Sequence, residues 1–302
     1  MMEPASIAVC IVFFNKAEQT AETIDCFSTS GLPIYVLNNG SAESATVAIK
    51  RHCLLHPNVK YLENPQNAGC GGGRNILAKQ AKEDWLFFVD NDITIAGDYW
   101  MDNLRKHIRY SRDVDVFVPR ILNVWDGTLV RHVRLSVQDG TACFLDTNSD
   151  FTNVFPGGGS VLARRLFERL GYYDEELKAF EDFELALRAI VNGQELCVKH
   201  LHDIELMHDH RVVSTPEDHE AVRVRYDVDR VRKAHDKVER VYGVSFDKNY
   251  AEWLANQIKD MTKPRKGLHF TKAVFSQFKK VHGIVKAVFK KLASYLKCAL
   301  LS

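Results

Sequence analysis

The chain has 302 residues, 46% hydrophobic and 26% charged, with a net charge of +1. That composition suits a soluble globular protein with one large α/β domain or two small ones, and it leaves no basic excess to hold nucleic acid as a partner. The charge is unevenly placed, because Lys263 to Ser302 holds ten Lys/Arg and no acid, so a +10 tail follows a −9 body.

In chain order, "SIAVCIVFF" (6–14) is a short β-branched apolar run and reads as a buried strand. Asn15 to Ser30 has helical spacing through Ala17, Thr20, Ile24 and Phe27. "PIYVLNNGS" (33–41) is a second strand, stopped by a turn at Asn38-Asn39-Gly40. Thr46 to His56 reads as a helix and "VKYLEN" (59–64) as a third strand. "NAGCGGGRNILAKQAK" (67–82) is a glycine-rich loop entering a helix, and "WLFFVD" (85–90) is a fourth strand. Alternating strands and helices predict a mostly parallel sheet of Rossmann-like, nucleotide-binding type, whose ligands lie beyond the carboxyl ends of the strands. Further on, "DVDVFVPRI" and "LVRHVRLSV" look like strands, with turns at Asp126-Gly127 and Asp139-Gly140. "FPGGGSVLARRLFERLG" (155–171) reads as a glycine turn and a helix capped by Ser160, and "FEDFELALRAIVNG" (180–193) as another helix. "ELCVKHLHDIELMHDH" (195–210) is extended, and 217–262 is charged and helical.

Several of these segments carry chemistry. The apolar strand "WLFFV" ends in Asp90-Asn91-Asp92. Carboxylates at the mouth of a core strand need compensation, and residues i and i+2 point the same way, so both can face one cation, or one a cation and the other a ribose. Asn67, Gly69, Gly71 to Gly73 and Arg74 can approach a phosphate through backbone N–H groups and a guanidinium. Neither the P-loop nor the G-x-G-x-x-G pattern is met. Gly157, Gly158 and Gly159 can line a ligand cleft with main chain. Glu181-Asp182-Phe183-Glu184 places three acids at a helix start, where they serve the helix dipole or supply a general base. Glu184 and Arg188 stand i,i+4 and should pair. The histidine pairs 200/202 and 208/210 are candidate metal ligands, His208 and His210 ahead of the others.

"IAVCIVFFN", "VLNNGS", "NAGCGGGRN", "FFVDND", "GGGSVLARRLFERLGYYDE", "FEDFELALR" and "HDH" follow one another in the order found in family 2 glycosyltransferases, which this chain resembles over about residues 5 to 215. The resemblance implies an inverting enzyme with the GT-A fold, a mostly parallel sheet flanked by helices, here with a C-terminal helical extension. Carried over by position, Asn15 and Asn39 lie near the nucleotide base, although many relatives have Asp where Asn39 stands. Asn67 and Arg74 border the donor, and Gly157 to Gly159 line the sugar and acceptor cleft. Asp92 binds Mn²⁺ or Mg²⁺ and through it the diphosphate, while Asp90 approaches the ribose or the metal. Asp182 is the catalytic base with Glu181 as runner-up, and His208 or His210 completes the metal site. The implied partners are a nucleotide-diphosphate sugar donor and a glycan or lipid-linked acceptor in cell-surface polysaccharide synthesis.

The expected domains are 1–215 for transfer, 216–262 as a helical extension, and 263–302 as a basic tail. In "KAVFSQFKKVHGIVKAVFKKLASYLKCALL" (272–301), apolar residues fall at helical spacing with lysines opposite, the pattern of an interfacial membrane anchor. The alternatives are docking on the acidic body or on a second subunit. Seven widely spaced cysteines, with no signal peptide and no spanning segment expected, point to a cytoplasmic protein peripheral on the inner face of the membrane. Two rivals stand beside transfer. One is a phosphohydrolase with Asp90 of "VDNDIT" as nucleophile, a pattern that normally follows the first strand of its domain. The other is a silent, membrane-bound sugar-nucleotide binding module.

Overall fold

The computed structural model describes residues 5–124, 127–209 and 227–246, with Pro216 and His219 in addition. His210 and the tail 263–302 lie outside the described residues.

The first half builds the expected alternation. Strands β1 (Ile7–Phe13), β2 (Ile34–Asn39), β3 (Val59–Asn64) and β4 (Trp85–Asp90) are joined by helices α1 (Ala17–Ser28), α2 (Glu43–Cys53) and α3 (Gly69–Gln80). They pair in parallel in the spatial order β3-β2-β1-β4. The second half adds β5 (Ile93–Ala96), α4 (Trp100–Tyr110), β6 (Val116–Asn123), β7 (Val133–Gln138), β8 (Thr141–Asp146), β9 (Phe151–Thr152), β10 (Ser160–Ala163), α5 (Arg164–Leu170), α6 (Glu181–Val191) and β11 (Val198–His208). The sheet continues beyond β4 as β10-β6-β11-β5, with β9 beside β11. Strand β10 runs against β4 and β6, whereas β6 and β11 point the same way as β4. The ends of β1, β2, β4, β6 and β11 and the start of β10 therefore share one edge, and the candidate site lies along it.

Both faces of this sheet are covered, which is why its strands read as unbroken apolar runs. Ala8, Cys10, Leu86 and Phe88 point to the face packed by α3, α5 and α6. Ile7, Val9, Ile11, Phe13 and Phe87 point to the face packed by α1, α2 and α4. Phe27 of α1 stands edge-on to Phe87, and Trp100 of α4 packs against both. Each fully buried side chain of this size contributes roughly 1.5–3 kcal/mol.

A small second sheet pairs β7 with β8 through a hairpin at Asp139-Gly140, both at positive φ, 49° and 73°. That is the backbone a type I′ turn requires. Helix α7 (Val228–Tyr242) leads to β12 (Ser245–Phe246), which pairs with β8. The Tyr242 hydroxyl meets Glu184, and Lys237 bridges Asp174 and Glu176 at 2.5 and 2.7 Å. The six described cysteines are free thiols. Among the described residues no helix is long and apolar enough to cross a membrane.

The structure corrects the sequence reading at three places. The glycines 69–73 sit inside the first turns of α3, not in a loop before it. A Cβ at Gly73 would come 2.8 Å from Val12, and one at Gly71 would come 3.0 Å from Glu181, so the run lets α3 lie close to β1 and α6. Between the 157–159 glycines and α5 the chain inserts β10, so Ser160 caps no helix and its hydroxyl donates to the Pro156 carbonyl at 2.6 Å. Helix α2 starts at Glu43, three residues before the expected Thr46.

Candidate active site

Where β1 ends, Asn15 and Lys16 both adopt left-handed backbone, φ 56° and 51°. Each such residue costs about 1–3 kcal/mol unless its surroundings hold it. Asn15 is held by the second crossover: its N–H donates to Ser41 Oγ and its Oδ1 accepts from the Ala42 N–H, both at 2.9 Å. The bend brings the Lys16 ammonium to 3.1 Å from Asp92 Oδ2.

Asp90 closes β4, Asn91 and Asp92 make the turn, and β5 starts at Ile93. Ile93 is in register with His208 at the end of β11, and the Asp92 carbonyl accepts from the Asp209 N–H at 2.9 Å. His208 Nε2 thus reaches 3.1 Å from Asp92 Oδ1, with the Asp92 side chain almost wholly buried. Gln19 of α1 fixes this corner by donating to the Asp209 carbonyl at 2.8 Å. Asp90, Asp92 and His208 offer one ligand atom each, all within 4.8 Å of one another.

Arg74 links the two halves of the site. Buried on α3, it donates to Asp90 Oδ1 at 3.1 Å and to Glu181 Oε1 at 2.8 Å. Burial opposes its charge, but Asp90 and then Glu181 outweigh that and hold the guanidinium above its ordinary range. Burial also pushes the Glu181 carboxyl up, Arg74 draws it back down, and the neighbouring Asp182 adds to the rise.

The 157–159 glycines fit between these charges. A Cβ on Gly157 would stand 2.3 Å from Arg74 Nη1, and one on Gly158 would stand 2.2 Å from the Asp90 carboxylate. Gly159 has φ +89° and donates its N–H to the Phe88 carbonyl at 2.8 Å. Asp182 is anchored to the same segment. Its Oδ2 accepts from the Gly157 N–H at 2.7 Å, and its Oδ1 accepts from the Phe183 N–H at 2.9 Å.

Asn39 is buried and turned to structural work. Its Oδ1 accepts from Asn64 Nδ2 and the Ala68 N–H, and its Nδ2 donates to the Gly69 carbonyl and Asn67 Oδ1. Asn39 and Asn67 together shape the entry to α3. Glu184 pairs with Arg188 at 2.6 Å, as its spacing predicts. His200 and His202 lie elsewhere: His200 stacks on His132 and meets Thr152 Oγ1 at 2.9 Å, and His202 pairs with Asp150 at 2.7 Å. Sequence reasoning missed Lys16, although a lysine directly after the first strand end, on the ligand edge, was the available signal.

The profile described as Glycosyl transferase family 2 matches residues 8–171, more than half of the chain. The chain belongs to glycosyl transferase family 2. Its sheet is that of GT-A glycosyltransferases, and membership of the family sets aside the phosphohydrolase alternative. The chain is similar to the pre-mycofactocin glycosyltransferase of Mycobacterium tuberculosis, 25% identical over 190 residues, covering 61% of this chain and 39% of the relative. It is also similar to glycosyltransferase GlyA of Streptococcus pneumoniae, 24% identical over 136 residues, or 44% of this chain and 19% of that protein. The chain thus spans about two fifths or less of the length of these curated relatives. Among solved structures, GalNAc-T7 with UDP, GalNAc and Mn²⁺ shares the fold at TM-score 0.56 and 18% identity, over 89% of this chain and 60% of that one. The mannosyltransferase PcManGT of Pyrobaculum calidifontis with GDP-Man and Mn²⁺ does so at TM-score 0.51 and 14% identity, over 93% and 81%.

Proposed function

We propose that this family 2 member transfers a sugar, with inversion, from a nucleotide-diphosphate sugar to a hydroxyl acceptor. The observation that carries the reading is the convergence of Asp90, Asp92 and His208 within 4.8 Å at the carboxyl edge, with Asp182 tied to the adjoining glycines. Two carboxylates and an imidazole suit Mn²⁺, and Mg²⁺ through the oxygens. When bound there, the dication supplies charge neutralisation for the leaving diphosphate. Lys16 stands ready on the same carboxylate to add positive charge. The bare main chain of Gly157 and Gly158 leaves room for the Arg74 and Asp90 side chains, which a Cβ at either position would displace.

Asp182 is the acceptor's general base in this reading, with Glu181 a positioning residue. Glu181 is buried and held by Arg74, so its carboxylate is committed. Asp182 is held by two backbone N–H groups, which aim the carboxylate without neutralising it. It takes the proton from the acceptor hydroxyl as that oxygen attacks the anomeric carbon from the face opposite the diphosphate.

Solved structures that share the fold hold UDP, UDP-GlcNAc and GDP-Man, which makes these the first donors to try. The basic amphipathic pattern of 272–301 supports a cytoplasmic enzyme seated on an anionic inner leaflet, acting on a lipid-linked or cell-surface glycan. The test is turnover of a nucleotide-sugar panel by wild type and Asp182→Asn, with the product anomer read by NMR. The reading expects an inverted product and a loss of about 10²–10⁴ in the variant with nucleotide affinity kept. A retained anomer would overturn inversion. Binding without turnover for every donor and acceptor would leave the silent binding module as the answer.

A further inference from the structure

Away from the donor edge, two histidines and an aspartate converge between α1 and α2. His52 lies in the last turn of α2 and His56 in the turn that follows, four residues on. Asp25 lies near the end of α1. Both Nε2 atoms address one oxygen, Asp25 Oδ1, at 2.7 and 2.9 Å. All three donor atoms lie within 4.8 Å of one another. The imidazole side chains are about a fifth exposed and the Asp25 side chain is more than half exposed, so the cluster opens to water.

We propose that Asp25, His52 and His56 form a second metal site, taking a transition-metal dication of the Zn²⁺ or Co²⁺ class. Imidazole nitrogen selects such ions over Mg²⁺ or Ca²⁺, and two nitrogens with one carboxylate oxygen leave a position for solvent. Ligand atoms around a tetrahedral ion of this size stand about 3.4 Å apart, so the two imidazole nitrogens need to draw back only about 0.5–0.7 Å from Asp25 Oδ1. Past the end of α2, the Leu55 N–H donates to the His52 carbonyl and the His56 N–H to the Cys53 carbonyl, and this continued coil brings both imidazoles to Asp25. Their ring centroids are 5.3 Å apart, and the third donor comes from a separate helix. Metal binding therefore clips α1 to α2.

The site is distinct from the donor site. Asp25 is nine residues beyond Lys16, about 13 Å along the α1 axis from the residue that touches Asp92. Helices α1 and α2 start at the donor edge and end at this cluster, so a clip here stiffens the pair that carries Asn15, Lys16 and Ser41 at its other end.

The test titrates the full-length protein with CoCl₂, reading the visible d–d absorption of bound Co²⁺, and with ZnCl₂, reading the melting temperature. Wild type, the double variant His52→Ala/His56→Ala and Asp92→Ala are compared. The proposal expects a Co²⁺ band in wild type and in Asp92→Ala, reduced at least tenfold in the double variant. It also expects Zn²⁺ at a hundredfold excess over Kd to raise the melting temperature of wild type by about 5–10 °C and that of the double variant by far less. These histidines lie outside the donor site, so metal-dependent nucleotide binding by the double variant should match wild type and confirm its fold. No band in wild type, an equal band in the double variant, or a band lost only in Asp92→Ala would each overturn the proposal.

Discussion

The substitution Gly158→Ala puts the site's steric logic to the test with a single methyl group. The φ of Gly158 lies outside the left-handed region, so alanine strains no backbone there and acts by contact alone. The added Cβ would stand 2.2 Å from Asp90 Oδ2 and Cγ, where carbon contacts prefer about 3.5 Å. Either the Asp90 carboxylate or the start of β10 must move by more than about 1 Å. The carboxylate is about a quarter exposed and swings more easily than the strand, which pairs with both β4 and β6. Overpacking of this kind costs about 1–3 kcal/mol, which lowers the melting temperature by about 3–10 °C. The larger effect falls on function. Displacing Asp90 breaks its 3.1 Å contact with Arg74 and removes one of three converging ligands. A misplacement near 1 Å costs about a hundredfold in rate, and Mn²⁺-dependent nucleotide affinity should fall at least tenfold. Scanning calorimetry and titration calorimetry read the two effects. A Gly158→Ala protein that binds Mn²⁺ and nucleotide as wild type does would refute the placement of Asp90 beside the glycines.

Arg74→Met leaves the buried Glu181 carboxylate without its guanidinium, a change that costs about 3–5 kcal/mol. Glu181 already has a raised folded-state pKa, and losing Arg74 raises it further, so the folded state holds its proton to higher pH than the unfolded chain. Stability then falls as pH rises from the unfolded value through the folded one. Melting scans at pH 5 and pH 8 should show Arg74→Met losing more than wild type over that interval, and equal losses would contradict the pairing. His200 behaves in the opposite sense. Burial, then His132, pushes it down from 6.5 to about 4, so stability is lost as pH falls from about 6.5 towards 4. His200→Gln should flatten that part of the profile, and an unchanged slope would place the acid sensitivity elsewhere. Deletion of 263–302 should abolish co-sedimentation with anionic vesicles and leave nucleotide binding intact, whereas vesicle binding that survives the deletion would refute the anchor.

The edge that gathers the candidate site was legible in the sequence because its residues stand at strand ends. Asn15, Asp90 and Asp92 follow apolar runs, and a parallel sheet collects such ends on one side. What could not be read was what those residues touch. Glu181 meets Arg74 across 107 positions, and the Gly157 and Gly158 contacts depend on where α3 and β4 lie in space. Asn39 reads as a base-binding residue by position, yet its amide is engaged by Asn64, Asn67, Ala68 and Gly69, a set that only the folded loop assembles. Strand β10 was hidden because "SVLA" is apolar on both faces and continues without a break into a helical pattern. Helix α4 carries Trp100, Leu104 and Ile108 at helical spacing, a signal present in the sequence.

The most direct test of nucleotide-sugar transfer at this site is calorimetric binding of UDP, GDP, dTDP and CMP, each with and without Mn²⁺, to wild type and Asp92→Ala. One nucleotide should bind in the presence of Mn²⁺, lose that binding when the metal is chelated, and bind Asp92→Ala at least about a hundredfold more weakly. Failure of every nucleotide to bind, or equal binding to Asp92→Ala, would contradict the account.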